Sequence, residues 1–140
     1  MIPEQEKNKY SLLFLVAAIW NIVVATFCTV ASPVAWSLLF DFEFPDGLVM
    51  MLFRIMVLAI ALFGLGYYIV SRDPGKNRGI VWMATIGKIT LFLLFTNGFF
   101  SGYVTTIGIT LLTGDFLWGI AFIYFLYATR LEVQGTQLVG

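Results

Sequence analysis

Hydrophobic positions in this chain do not alternate with polar ones; they gather into four long runs separated by short polar breaks. The runs cover about 11–31 (SLLFLVAAIWNIVVATFCTVA), 48–70 (LVMMLFRIMVLAIALFGLGYYIV), 80–96 (IVWMATIGKITLFLLFT) and 107–129 (IGITLLTGDFLWGIAFIYFLYAT). A membrane-crossing helix needs about 20 mostly apolar residues. Backbone groups inside a bilayer must be satisfied within the protein, which makes such runs helices. The pattern predicts an all-α, four-helix transmembrane bundle, up-down-up-down, with residues 1–140 forming a single integral membrane domain.

The breaks agree with this reading. Residues 1–10 are polar and place Lys7 and Lys9 beside the first run. A signal-peptide core is about 7–15 residues; the first run is longer and Pro33 follows it, so an uncleaved helix is expected. The 32–47 break is punctuated by Pro33, Pro45 and Gly47. Its apolar middle has two readings: it lies along the membrane surface with Trp36, Phe40, Phe42 and Phe44 in the interface, or it covers the top of the bundle. Asp73-Pro74-Gly75 in the 71–79 break is a turn signature. The 97–106 break is uncharged and tight, with Gly98 and Gly102. No internal repeat stands out beyond the two-span halves.

Charge along the chain sets an expected orientation. Lys7, Lys9, Arg72, Lys76, Arg78 and Arg130 flank the same side of the runs, whereas the 32–47 break holds Asp41, Glu43 and Asp46 and no base. The positive-inside rule then puts both termini in the cytoplasm. Tyr10, Tyr67, Tyr68, Trp82, Tyr124 and Tyr127 fall at the inner interface, and Trp36 and Tyr103 at the outer one.

Composition narrows the chemistry. Only 11% of residues are charged, against about 25% in a soluble domain, too few to cover a water-facing surface. The chain has no His and one Cys, Cys28. Bis-His haem ligation, a His/Cys zinc site, a CxxC pair and an intrachain disulfide are thereby excluded within one chain. Cys28 reads as a small packing residue. Net charge is zero and no basic run occurs, so nucleic acid is not an expected partner. No metal or cofactor site is expected.

Lipid tails do not drive apolar helices together; small and polar residues do. In the first run Ala17, Ala18, Asn21, Ala25 and Cys28 share a stripe. In the second, Gly47, Arg54, Ala61 and Tyr68 recur every seven residues. In the third, Ala84, Thr85 and Lys88 share a face; in the fourth, Gly108, Asp115, Trp118, Gly119 and Phe122 do. These faces are expected to turn inward.

Three ionisable residues lie well inside the runs: Arg54, Lys88 and Asp115. A charge at the bilayer centre costs roughly 2.5–3.5 kcal/mol on insertion scales. Lys88 with Asp115 is the most economical ion pair, and it reads as a structural pin on helix register, as part of a polar site, or as charges that pair with those of a partner protein. Asn21, Arg54, Lys88 and Asp115 are the candidate interior polar set, with Trp20, Thr85 and Trp118 as candidate pocket walls. Arg54 has three readings: it joins the pair, it snorkels outward, or it meets the acids of 41–46. Were it inside, the surplus positive charge would suit an anionic or carbonyl-bearing guest. No nucleophile–base pair, metal cluster or phosphate loop is present, so nothing argues for an enzyme.

Taken together, Arg54, Arg72-Asp73-Pro74, Gly87-Lys88 and Gly114-Asp115 on four short spans resemble a broad group of small bacterial four-helix membrane proteins, DoxX-like in general cast. The resemblance implies a bacterial inner-membrane location. Some DoxX-like proteins are linked to quinone-dependent sulfur oxidation, but no cysteine or cofactor motif here carries that activity over. The expected function is a non-enzymatic module: an accessory subunit beside other membrane subunits, or a binder of a lipid-like or quinone-like molecule among membrane lipids. The alternatives are a proton-linked transporter or channel subunit using Asp115, and a membrane redox or enzyme subunit.

Overall fold

The structure is a computed structural model, and it describes residues 4–130. Five helices follow one another: α1 (Glu4–Val30), α2 (Ser32–Leu39), α3 (Gly47–Arg72), α4 (Arg78–Phe100) and α5 (Thr106–Ala128). Four are long and apolar enough to cross a membrane: α3, α4, α5 and the Glu6–Val30 stretch of α1. The predicted four-helix bundle is therefore the fold. Leu12, Leu52, Leu58, Leu62, Leu93 and Leu117 are more than half exposed, an apolar surface that suits lipid as solvent.

Helix ends differ from the hydrophobic runs for local reasons. The first helix begins two turns early, at Glu4, with Glu4 and Glu6 in its first turn, where acids favour the N-terminal dipole. The 32–47 segment is not simply a break. Pro33 sits in the first turn of α2, where its fixed φ and missing N–H are tolerated. Of the two readings of this segment, the cover prevails for Trp36. Its ring is 3% exposed, its Nε1 donates to the Phe42 carbonyl at 3.1 Å, and it meets Phe53 of α3 edge-on at 5.3 Å. Trp36 is not an interface residue, while Phe42 and Phe44 remain exposed.

The helices pack as two pairs. α1 lies chiefly on α3 and α4 chiefly on α5, with thinner contact between the pairs. Two features join them at the α2 end. Phe40 and Val104 form an isolated antiparallel bridge, with Asp41 N donating to Tyr103 O at 3.0 Å and Thr105 N to Leu39 O at 3.1 Å. The Thr105 side chain accepts from Gly108 N at 2.8 Å, capping α5. Gly108 is required here: a Cβ would stand 2.6 Å from the Leu39 carbonyl oxygen. At the opposite end Phe14 is packed against Phe122 and Phe125, centroids 5.0 Å apart in each case. There Arg78 donates to the Thr129 hydroxyl and, at 2.9 Å, to the Leu126 carbonyl, closing the C-terminus of α5 against the start of α4.

The inward stripes match expectation on three helices. Ala17, Ala18, Asn21, Ala25 and Cys28 are all buried, as are Ala84, Thr85 and Lys88 on α4 and Gly108, Gly119 and Phe122 on α5. The third helix departs from it. Its buried face is Met50, Phe53, Val57, Gly64, Tyr67, Val70 and Ser71, whereas Gly47, Arg54 and Tyr68 are exposed. The small-residue rule picked the wrong stripe because α3 fills the core with large side chains and makes its close approach to α1 at Gly64. A Cβ there would lie 3.0 Å from Ile22 and 3.2 Å from Asn21.

Candidate functional site

Lys88 stands about 15 Å along α4 from Arg78, and Asp115 about 14 Å along α5 from Thr106, at 1.5 Å per residue. Both therefore lie near mid-helix and face one another. Lys88 Nζ forms a direct ion pair with Asp115 Oδ1. The pair is asymmetric: the Lys88 side chain is 7% exposed and that of Asp115 21%. The ammonium also faces two rings, with Tyr67 at 5.6 Å and Phe122 at 6.0 Å from their centroids, a cation–π setting. Gly119, one turn beyond Asp115, lies against the Lys88 Cβ and leaves room for its stem.

Above this pair, between the two helix pairs, is a cavity of about 510 Å³, within the range of about 300–1,000 Å³ usual for small-molecule sites. Its walls are mainly apolar: Val24 and Phe27 from α1, Leu38 and Leu39 from α2, Met56 and Ile60 from α3, Leu91 and Phe95 from α4, Leu112 from α5. Polar groups come from Asn21, Tyr67, Lys88 and Asp115, which all line it. Asn21 Nδ2 donates to the Ile60 carbonyl at 3.2 Å. Among the described residues its Oδ1, the Asp115 Oδ2 and the Tyr67 hydroxyl have no hydrogen-bond partner. Tyr67 is only 1% exposed, and a buried hydroxyl without a partner is costly. Together these groups offer a guest donors and acceptors at the cavity wall.

Three of the four candidate interior residues thus come together: Asn21, Lys88 and Asp115. Arg54 does not join them. It is exposed on α3 and lines a separate groove between α1 and α3. It pairs with none of Asp41, Glu43, Asp46 or Asp115, since Lys88–Asp115 is the one salt bridge among the described residues. Of the candidate walls, Trp20 lines the cavity. Thr85 is buried but donates to its own helix at Val81 O, 2.8 Å away. Trp118 packs beside Phe122 and lies outside the cavity. Sequence reasoning missed Tyr67, assigning it to the interfacial belt. The signal was present: Met50, Phe53, Val57, Gly64, Tyr67 and Ser71 recur at steps of three, four or seven residues, the seam of one helix face.

The cavity has a lateral mouth. Trp20, Val23 and Phe27 of α1 and Leu111 of α5 line it and are also between 43% and 56% exposed. These exposed apolar side chains mark the open edge of the cavity between α1 and α5. No protein family, curated protein or solved structure matches this chain significantly.

Proposed function

We propose that this chain is a non-enzymatic module of the bacterial inner membrane, with both termini cytoplasmic, that holds a lipid-like or quinone-like molecule between its two helix pairs. The observation that carries this reading is the mainly apolar cavity with Asn21, Tyr67, Lys88 and Asp115 on its wall. Apolar walls with a few convergent polar groups are the usual form of a ligand site.

The charge balance selects the head of the guest. With Arg54 outside, Lys88 and Asp115 cancel, and a free anion gains nothing from the interior. A neutral head with a carbonyl oxygen fits better: it accepts from the Lys88 ammonium or the Tyr67 hydroxyl, while any hydroxyl on it donates to Asp115 or Asn21. The tail lies along Leu91, Phe95 and Leu112 and leaves through the mouth between α1 and α5. Against a proton-linked carrier stands the aromatic packing of Phe14, Tyr67, Phe122 and Phe125 below the pair, which leaves little room for a water path.

Orientation rests on the same charge bias seen in sequence. Lys7, Lys9, Arg72, Lys76, Arg78 and Arg130 lie at the end opposite α2, and Asp41, Glu43 and Asp46 at the α2 end, as the positive-inside rule requires.

Native mass spectrometry on protein purified gently from its own membrane tests the reading. Wild type should carry a neutral amphiphile. Tyr67→Phe removes a hydroxyl that holds no protein bond, so the variant should keep its thermal stability and retain less of the guest. Wild-type protein that flies bare, or Tyr67→Phe protein that retains the guest in full alongside a Lys88→Met variant that does too, would remove the cavity from consideration.

A further inference from the structure

We infer that the groove between α1 and α3 is a second lipid site, one for the phosphodiester head of an anionic phospholipid, held by Arg54. The groove has a volume of about 630 Å³ and is separate from the Lys88–Asp115 pair. Arg54 is exposed within it and forms no hydrogen bond or ion pair with any described residue.

Depth makes that lone charge informative. Arg54 lies seven residues into a helix of 26. With a hydrocarbon core of about 30 Å centred on α3, its Cα sits about 7 Å below the boundary at the α2 end. An arginine there keeps its stem in the apolar layer and lifts its guanidinium to the headgroup level. At that level the abundant fork-shaped acceptors are lipid phosphates, which match guanidinium geometry. Asp41, Glu43 and Asp46 lie at the same end but do not line the groove, so no protein acid competes there.

The rest of the groove suits the same occupant. Its lower part is apolar, with Ile22, Val57 and Leu58, a bed for an acyl chain. Its mouth carries Thr29 and Ser32. The Thr29 hydroxyl is committed as a donor to Ala25 O at 2.8 Å, leaving its lone pairs for a hydroxylated head. The Ser32 hydroxyl has only a long contact with Thr29 O, 3.5 Å, and is available to donate to phosphate. A glycerol-headed phosphodiester meets all three side chains.

The test compares retention of phosphatidylglycerol and phosphatidylcholine by the full chain. Protein is exchanged through an equimolar mixture of the two lipids and read by native mass spectrometry. Wild type should keep phosphatidylglycerol preferentially. Arg54→Gln should lose that preference by about tenfold, the scale of one charge-assisted contact. Arg54→Lys should recover part of it. Leu58→Trp fills the chain bed with the arginine intact, and should weaken retention of both lipids; it serves if Arg54→Gln does not fold. Gly114→Ala, on α5 with open space around its added Cβ, should leave the preference unchanged. Equal retention of the two lipids by wild type overturns the proposal. So does an unaltered preference in Arg54→Gln, or an Arg54-dependent dimer without lipid preference, which would make the groove a contact for a second copy.

Discussion

Lys88 and Asp115 show how much depends on a pair rather than on either member. Asp115→Asn leaves the Lys88 ammonium in the core facing only Tyr67 and Phe122. Breaking a buried pair by removing one partner costs about 3–5 kcal/mol; because the Asp115 side chain is one-fifth exposed to the cavity, the lower end of that range is expected. Thermal unfolding in nanodiscs should show a large loss for Asp115→Asn. The double variant Lys88→Met/Asp115→Asn should regain most of it, because no uncompensated charge remains. Arg54→Gln, which breaks no protein contact, should unfold within about 0.5 kcal/mol of wild type in a neutral lipid. The Lys88–Asp115 partnership was legible in the sequence, since opposite charges at one depth in adjacent spans have few other partners. Arg54 was not, because helical spacing says which residues share a face but not which face turns inward.

At the level of single helices, α2 and α5 meet through a close backbone approach at Gly108. Gly108→Ala places a methyl group against the Leu39 carbonyl oxygen, so α2 and α5 must separate. A loss of about 1–3 kcal/mol is expected, as for an overpacked core. Gly114→Ala is the matched control on the same helix. Nothing lies within 4 Å of its added Cβ, and relief of helical glycine makes it neutral or slightly stabilising. At the other end, Arg78→Gln removes the donors to Leu126 and Thr129. Faster hydrogen exchange confined to the last turn of α5 should result, with the cavity unaffected. The helix spans could be read from hydropathy because each run is continuous. The α2 cover could not, since Trp36 has the same composition whether it lies in the interface or under Phe42; its indole hydrogen bond to the Phe42 carbonyl is a tertiary fact.

On the scale of the whole molecule, the cavity results from how the pairs meet. Aromatic packing of α1 with α5 closes one end, and α2 with the Phe40–Val104 bridge closes the other. The open edge of the cavity lies between α1 and α5. Val23→Trp narrows it without touching the polar wall. Guest exchange measured after dilution into lipid vesicles should slow severalfold while equilibrium occupancy changes little; equal loss of both would place the entrance elsewhere. The polar wall of Asn21, Lys88 and Asp115 could be named from sequence, but the cavity's volume and open edge could not, because a void is a property of surfaces that meet incompletely, and periodicity describes surfaces one at a time.

The two-pair arrangement also bears on how the chain is made. Each pair joins helices that lie close together along the chain, α1 with α3 and α4 with α5, so each hairpin can form as it leaves the insertion machinery, with little loop entropy to overcome. Joining the hairpins is the late event, and it is the event that creates the cavity. A molecule that binds only the joined state adds its binding free energy to that step. The proposed guest would then act as an assembly factor: cells starved of it would accumulate correctly inserted hairpins that remain unjoined.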